Sequence, residues 1–452
     1  MKSVGEPAAV VKLGEVVGAV MRRGRTASVS AKRQWLQERA DELVAAQAGR
    51  RPGERERPPE DGAPSSARCS RCGSARPCDF NYSGSYGRRV DFEDGSAQLR
   101  IRRLRCRCGG NVPVDLEPLL RRYQRHWYDL QLTCLGLIVE GMSLRAVQRH
   151  LRHCGVQLGL SSLARMVAGF AQVELNAGID AGALAAISLD GAFWRVAGAL
   201  RAHLYVHEVR ARDEPLVRGG REVAWYRTGK VLGVGLAAEE SQEAWEGVLG
   251  GVVQAGLVDN GRELFVACDG NQGLLSAVEM ELPRALVQRC VWHIGYRTRG
   301  KLRKAAHREA LERDALWVFK ADSVAAARER LGRFMARWYE PEPEAAKSVG
   351  RKFMAGVEFL RHPQRAVRPR TIAISERYNQ EAKRRFRPGR SFGSERNLQA
   401  MVRLLALRHN CIIERTDWLD HAARWRWDQP VQLTTAYQHE SRPTSPYTNG
   451  GT

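Results

Sequence analysis

The residues best suited to chemistry in this 452-residue chain are three acids and a cluster of cysteines. Asp190 closes the apolar run ALAAISL and precedes Gly191, and Asp269 closes ELFVAC and precedes Gly270-Asn271. Placed at strand ends of one sheet, these two carboxylates can meet across neighbouring strands although 79 positions separate them (269 minus 190). A third acid, Glu376, lies in ISERYNQEAKRRF, which reads as a helix capped by Ser375, with Glu376, Asn379 and Lys383 on one face. Carboxylate oxygens are hard ligands suited to Mg²⁺ or Mn²⁺. Two such ions about 4 Å apart can activate an attacking oxygen and stabilise a leaving one at phosphorus. The protein is then left with positioning rather than covalent work. Each acid alone has an ordinary reading, as an Asp-Gly turn or a Glu in a first helical turn. The combination is what points to metal-dependent phosphoryl transfer.

Five of the ten cysteines fall between Cys69 and Cys108. Cys69-Ser-Arg-Cys72 and Cys106-Arg-Cys108-Gly-Gly are separated by 33 residues (106 minus 72, minus 1), which suits four thiolates closing a structural Zn²⁺ site with a hairpin between two knuckles. Arg68, Arg71, Arg105 and Arg107 crowd the pairs and are expected to lower their thiol pKa values. Cys78 is a spare ligand. Cys134, Cys154, Cys268, Cys290 and Cys411 are scattered, mostly in apolar segments, and read as small buried hydrophobes rather than a disulfide scaffold.

These groups need elements to hold them. Residues 1–65 contain one plausible helix, AKRQWLQERADELVAAQ, and a Pro-, Gly- and charge-rich linker. Residues 66–112 form the zinc-ribbon-like unit. It includes RIRRLRCRC, with five Arg between 100 and 107; Arg at alternating strand positions would line up on one face and suit phosphates, and Arg102 and Arg103 are candidate DNA contacts. Residues 113–178 read as a helix-turn-helix-like unit in which one helix ends at Gly141, Ser143 caps the next and Ser161 or Ser162 caps a third, with Arg145 and Arg165 as candidate DNA contacts. From 183 to 295 short β-type runs (ALAAISLDG, HLYVHEV, KVLGVGLAAE, ELFVACDG, ALVQRCVWHI) alternate late with a helix, which argues for a mixed α/β sheet. Residues 296–370 are helical, 371–430 carry the final helices, and 431–452 form a polar tail expected to be disordered. The fold class expected is multidomain α/β.

Seventy-two Lys and Arg against 50 Asp and Glu give a formal charge of +22 and suit a polyanionic partner. The excess is dense between Arg361 and Arg390, where ten Lys and Arg meet two acids, and Lys383, Arg384 and Arg385 there are expected to hold a DNA backbone. No apolar run approaches the roughly 20 residues needed to span a bilayer, and the first thirty residues lack a signal-peptide pattern. The chain is therefore expected to be soluble, cytoplasmic and nucleoid-associated, with no membrane partner.

The segments LDG, FVACDGNQG, LPRALVQRCVWHI and SERYNQEAKRRFRPGRSFGSERNLQAMVRLL together resemble the transposases of the Mutator-like group and their bacterial insertion-sequence relatives, over about residues 183 to 410. The most specific element is Cys290-Val-Trp-His293, a C-x-x-H expected on the strand after the second Asp, with Trp292 as a core residue on the other face. The resemblance implies a ribonuclease-H-like core with an all-helical insertion before the last acid, and Asp190, Asp269 and Glu376 as catalytic ligands of two Mg²⁺ or Mn²⁺ ions. Relatives carry Thr-Thr-Asn shortly before the Glu where this chain has Thr371-Ile372-Ala373-Ile374-Ser375, so Glu381 stays open as the third acid; Glu376 is favoured because Asn379 then completes E-x-x-N. With only two ligands, Cys290 and His293 are expected to pack or contact a substrate strand rather than hold zinc. The implied function is binding of an element's terminal inverted repeats, DNA cleavage and transfer of the 3′-OH ends to target DNA. Synapsis of two ends implies a homodimer or higher oligomer. A non-catalytic DNA-binding regulator, or another nuclease of the same fold, is the alternative.

Overall fold

In a computed structural model the chain is described at residues 28–50, 53–56, 60, 64–65, 67–116, 119–120, 124–175, 179, 184, 186–257, 264–361, 368–386 and 392–427. At 213, 215, 218, 221–226, 423–424 and 426–427 only the backbone is described. The tail expected from 431 onward, and parts of the linker before 66, lie outside these residues.

The first unit is a ribbon. Strands β1 (Phe80–Phe92), β2 (Gly95–Cys106) and β3 (Asn111–Val112) form an antiparallel sheet in the order β1-β2-β3. Helix α1 (Val29–Gln47), capped by Ser28, lies against β2 and buries Leu36, Ala40 and Val44 with Val90, Leu99, Ile101 and Leu104. Strand alternation sends Leu99 and Ile101 inward, but the register shifts between Tyr82 and Ser85, opposite Arg102 to Leu104. The arginines of β2 therefore do not form one uninterrupted row. Arg102 packs over the Tyr82 ring and Arg103 over that of Tyr86.

Three short helices follow: α2 (Tyr128–Val139), α3 (Leu144–His153) and α4 (Leu160–Ala168). Gly141, at φ 105°, turns the chain after α2, and Ser143 Oγ accepts from Ala146 N to cap α3, as the sequence suggests. The third helix differs, since Gly159 is its N-cap and Ser161 and Ser162 lie inside its first turn. Arg145 and Arg165 are exposed.

The central sheet has five strands in the order β6-β5-β4-β7-β8, from β4 (Ala186–Val196), β5 (Ala199–Arg218), β6 (Arg221–Ala237), β7 (Phe265–Cys268) and β8 (Leu286–Arg289). The β4-β5 and β5-β6 pairs are antiparallel hairpins, whereas β7 joins β4 in parallel and β8 joins β7 in parallel. Parallel neighbours need crossovers, supplied by α5 (Gln242–Val252) and α6 (Gln272–Glu281). Both helices pack on one face, where Trp245, Leu249 and Val278 meet Ile187, Leu204 and Val266. This is the mixed α/β sheet that the grouping of strands and helices predicts.

After β8 comes a one-and-a-half-turn helix, α7 (Val291–Tyr296), then α8 (Arg308–Val318), α9 (Val324–Trp338) and α10 (Pro343–Gly356), which enclose their own core around Leu311, Phe319, Phe334 and Phe353. Buried Gln288 on β8 donates to Gly356 O at 2.9 Å and accepts from Phe359 N at 2.9 Å, tying this bundle to the sheet. Helices α11 (Ala373–Phe386), α12 (Glu395–Glu414) and α13 (Trp418–Trp427) complete the chain. The 20-residue α12 packs along β6 and against α2 and α4, so its Leu398, Leu404, Leu405 and Leu407 share one apolar cluster with Leu135, Val147, Leu163 and Val167.

Candidate active site

Register brings the first two acids together. The parallel pairs Ala186↔Phe265, Ile187↔Val266 and Ser188↔Ala267 continue, two residues on, to Asp190 and Asp269. Asp269 leaves its strand there. Asp190 does not, because β4 runs on to Val196 in pairing with β5; Asp190 thus lies at the end of the parallel pairing rather than at the end of its strand. Gly191 is correspondingly no turn residue. A Cβ on it would lie 1.8 Å from Glu240 Oε1, so its lack of a side chain gives room to a fourth acid. Gly270 is a true turn residue at φ 80°, and a Cβ there would meet the Arg289 guanidinium at 2.1 Å.

Helix α11 is keyed to the same edge. Ser375 is fully buried inside it rather than capping it, and its Oγ lies 2.7 Å from Ser188 Oγ and 3.4 Å from His207 Nδ1. That contact sets Glu376, the next residue, toward His293, with 4.0 Å between Oε1 and Nδ1. One turn on, Asn379 Nδ2 donates to Asp190 Oδ2 at 2.9 Å. Glu381 is committed elsewhere, accepting from Arg385 Nε at 3.1 Å and Arg408 Nη1 at 3.2 Å.

The acids are held by a small set of donors. Asp190 Oδ1 accepts from Gly191 N at 2.9 Å, and Oδ2 also accepts from Tyr205 OH at 3.2 Å. Asp269 Oδ1 accepts from Asn271 N at 2.7 Å, while Oδ2 forms a 2.6 Å ion pair with Arg297 Nη2. Asn271 caps α6 and donates to Glu240 Oε2 at 3.3 Å. Burial raises the Asp190 carboxyl to about 8, with the charges of Asp269 and Glu376 adding to the effect and the bonds from Gly191 and Tyr205 opposing it. Burial also raises Glu376, and burial with the Asp269 charge raises Glu240. The three acids do not gather as tightly as the thiols described below, whose ligand atoms all lie within 4.8 Å of one another.

The C-x-x-H differs from its expected place. Strand β8 ends at Arg289, Cys290 caps α7, and His293 lies within that helix. Cys290 is fully buried in a small cluster with Ala267 and Ile372, and burial pushes its thiol up to about 11. His293 is half-buried, its Nδ1 has no hydrogen-bond partner, and burial lowers its pKa. Trp292 is not core: it is 38% exposed and stacks on Tyr296.

Of the basic residues expected to hold DNA, Lys383 and Arg384 are exposed. Arg385 is not placed for that. It is 8% exposed, and its guanidinium bonds Glu140 Oε2, Val139 O and Glu381, which makes it a strut between helices.

In the ribbon, Cys69, Cys72, Cys106 and Cys108 come together, with Sγ···Sγ distances of 3.5 Å for Cys69 and Cys108 and 3.7 Å for Cys72 and Cys106. Arg71 N points to Cys69 Sγ and Gly110 N to Cys108 Sγ, each at 3.4 Å. Cys69 is lowered to about 6, but by the backbone amides of Cys72 and Arg71 rather than by guanidinium charge, and burial raises Cys106 to about 12. Cys78 stays outside the cluster, its Sγ toward Glu60 O.

Sequence reasoning missed Tyr205, Glu240, Ser188 and Arg297. Glu240 is the second of two acids after the run KVLGVGLAA, behind Glu239, so the run marks the place without choosing between them, and Arg297 sits four residues after His293 on one helical face.

Much of the stretch from β5 through α12 is similar to transposases. Residues 210–413 match the family model described as Transposase, Mutator family, a span that holds Asp269, Cys290, His293 and Glu376 and begins after Asp190. The chain is also similar to the transposase for insertion sequence element IS905 of Lactococcus lactis subsp. lactis (strain IL1403), at 24% identity over 264 residues, or 57% of this chain and 61% of that protein. The resemblance drawn from the sequence to Mutator-like and insertion-sequence transposases therefore holds. Among the described residues no helix is long and apolar enough to cross a membrane.

Proposed function

We propose that this chain is a DNA transposase of the DDE type, with Asp190, Asp269 and Glu376 as its acid triad. The observation that carries the reading is convergence: register sets Asp190 beside Asp269, and the Ser188–Ser375 contact brings Glu376 to the same edge of the sheet. The strand order β6-β5-β4-β7-β8, three antiparallel strands and two parallel, with a helical bundle between β8 and α11, supports a ribonuclease-H-like core with an insertion. Glu376 is preferred over Glu381, whose carboxylate already has two arginine partners.

The donor set fits hard divalent cations. Every ligand is an oxygen, the charges of Asp269 and Glu376 add to the burial that raises the proton affinity of Asp190, and the buried Asn379 Oδ1 has no hydrogen-bond partner. Mg²⁺ or Mn²⁺ bound there would activate an attacking oxygen and stabilise the leaving one. The protein's own work is positional. Tyr205 and Asn379 fix the Asp190 carboxylate, Asn271 N fixes that of Asp269, and Arg297 balances its charge. Lys383 and Arg384, exposed on the helix of Glu376, are available to phosphates, as are Arg102, Arg103, Arg145 and Arg165 in the preceding units.

The four thiols fit structural Zn²⁺. A Zn–S length of about 2.3 Å implies tetrahedral S···S edges of roughly 3.8 Å, close to the 3.5 and 3.7 Å observed. On this reading the ribbon and the three helices recognise element ends, and synapsis uses two or more copies.

The test is Mg²⁺-dependent nicking of a duplex carrying the DNA that flanks the gene. Asp269→Ala and Glu376→Gln should abolish nicking while duplex binding persists. Nicking that survives both changes removes the triad. Duplex binding by a wild-type protein that never nicks favours a non-catalytic regulator.

A further inference from the structure

Helix α7 presents a feature that metal chemistry does not use. Trp292 and Tyr296, four residues apart and so on one face, stack with ring centroids 4.9 Å apart and planes 14° apart. They are 38% and 41% exposed. The Arg299 guanidinium lies 4.4 Å from the Tyr296 centroid and is held by Glu312 at 2.9 and 3.1 Å. Large aromatic surface left in water costs free energy unless something covers it. Here it forms an ordered stack of two rings and a planar cation.

Its neighbours indicate what would cover it. His293, between the two aromatics in sequence, faces Glu376, and Arg297, next after Tyr296, pairs with Asp269. The stack therefore sits within one helical turn of residues touching two of the three acids. The chain then runs Arg297-Thr-Arg299-Gly-Lys301-Leu-Arg303-Lys304, five cations in eight residues with no acid, of which Arg299, Lys301, Arg303 and Lys304 are exposed. An apolar protein partner would have to desolvate that charge. A nucleic acid strand matches both parts, since its phosphates suit the cations and an unpaired base offers a flat ring to the aromatics.

We propose that Trp292 and Tyr296 form a stacking platform for a DNA base unpaired beside the cleavage site, with the cations of 297–304 along the strand's phosphates. A base inside a duplex hides its faces against its neighbours, so the platform can act only on a nucleotide that is unstacked or single-stranded. The inference rests on the proposed DNA-cleaving function for its substrate, but its readout is binding without metal.

The test uses the full chain in EDTA, with fluorescein-labelled oligothymidine and a paired duplex of equal length as probes, followed by anisotropy. Stacking is worth about 1–3 kcal/mol per base, so Trp292→Ala and Tyr296→Ala should each weaken single-strand binding by about 5- to 140-fold. Duplex affinity should stay within about twofold, and Trp292→Phe should restore most of the single-strand affinity. Because both rings are exposed, unchanged circular dichroism is expected. Single-strand affinity equal to wild type in Trp292→Ala overturns the proposal and leaves a protein partner as the occupant of the surface. Equal losses on both probes also overturn it, as a general structural effect. Trp292-dependent single-strand binding in a protein that never nicks DNA with Mg²⁺ or Mn²⁺ would uphold the platform and sink the cleavage reading, so the two failures are distinct.

Discussion

Asp190 carries its charge against its surroundings. Its carboxyl is raised from an ordinary value near 3.8 to about 8 by burial, with Asp269 and Glu376 adding repulsion. Between those two values the folded chain binds a proton that the unfolded chain has released, so stability falls as pH rises through that window. The metal-free protein should therefore melt at progressively lower temperature from pH 5 to pH 8, and Asp190→Asn should flatten the decline. The variant should melt higher than wild type at pH 8 and nearly level with it at pH 5. Thermal melts in EDTA across that range decide it, and identical curves for the two proteins would contradict the assignment. Mg²⁺ added at pH 8 should raise the wild-type melting temperature and leave Asp190→Asn nearly unmoved, since only a ligand of the folded state stabilises it. Glu381 serves the fold instead. Its two arginine partners make Glu381→Gln a stability change, costing about 1–2 kcal/mol, with nicking retained.

Helix α11 buries Ile374, Tyr378, Ala382 and Phe386, and Ser375 adds a polar key to that packing. With Ser188 Oγ at 2.7 Å and no exposure, the hydroxyl keys the helix to β4, and the register of Glu376 follows. Ser375→Ala should cost about 1 kcal/mol in stability and lower the nicking rate while DNA affinity stays unchanged; a loss of affinity in place of rate would point to DNA contact instead. In the ribbon, Gly110 has Cys69 Sγ 2.7 Å and Arg71 Cβ 2.6 Å from where a Cβ would stand. Gly110→Ala should therefore release bound Zn²⁺ to a chromogenic chelator faster than wild type, and an unchanged release rate would argue against a knuckle. How much of this was legible differs by element. Both aspartates are legible because each closes an apolar run before a Gly, a pattern that marks a true strand end at Asp269 but only the end of the parallel pairing at Asp190, where β4 runs on to Val196. The α7 helix is not, since Cys-Val-Trp-His-Ile has the β-branched and aromatic texture of a strand. The paired length of β8 is set by four-residue β7, a tertiary limit with no local signal. In the sequence Ser375 reads as a cap, a polar residue near a helix start, because its partner, Ser188, lies 187 positions away. Arg385 was counted with Lys383 and Arg384 for the same reason: Glu140 and Val139, which bury it, are 245 and 246 positions distant.

At the scale of the molecule, the sequence division between a DNA-binding helical unit at 113–178 and a separate catalytic core meets a shared core. Helix α12 contributes Leu398, Leu404, Leu405 and Leu407 to the cluster that buries Leu135, Val147, Leu163 and Val167 of α2–α4. Polar contacts run the same way. Arg396 Nε donates to Ala168 O at 3.3 Å, and Arg403 Nη1 donates to Val173 O at 3.1 Å. The two arginines Arg385 and Arg408 both grip Glu140 at the end of α2. On its other side α12 bonds the sheet, where Asn410 accepts from Val231 N at 2.7 Å and donates to Val231 O at 2.9 Å. A helix that serves two partners couples them. Three helices of 12, 10 and 9 residues are short for a self-sufficient core and bury much of their apolar face only against α12. Residues 113–178 expressed alone should therefore give a poorly dispersed amide spectrum and no cooperative melt, and co-expression with residues 183–430 should restore both. A well-dispersed spectrum from the isolated fragment would mean that the trihelical unit folds on its own. The contacts to α12 would then be docking between finished domains, and DNA recognition could be separated from catalysis by a simple cut. The shared cluster predicts the opposite: whatever displaces α2–α4 on binding DNA must shift α12, and through Asn410 the outer strand β6, which β5 joins to the β4 strand of Asp190.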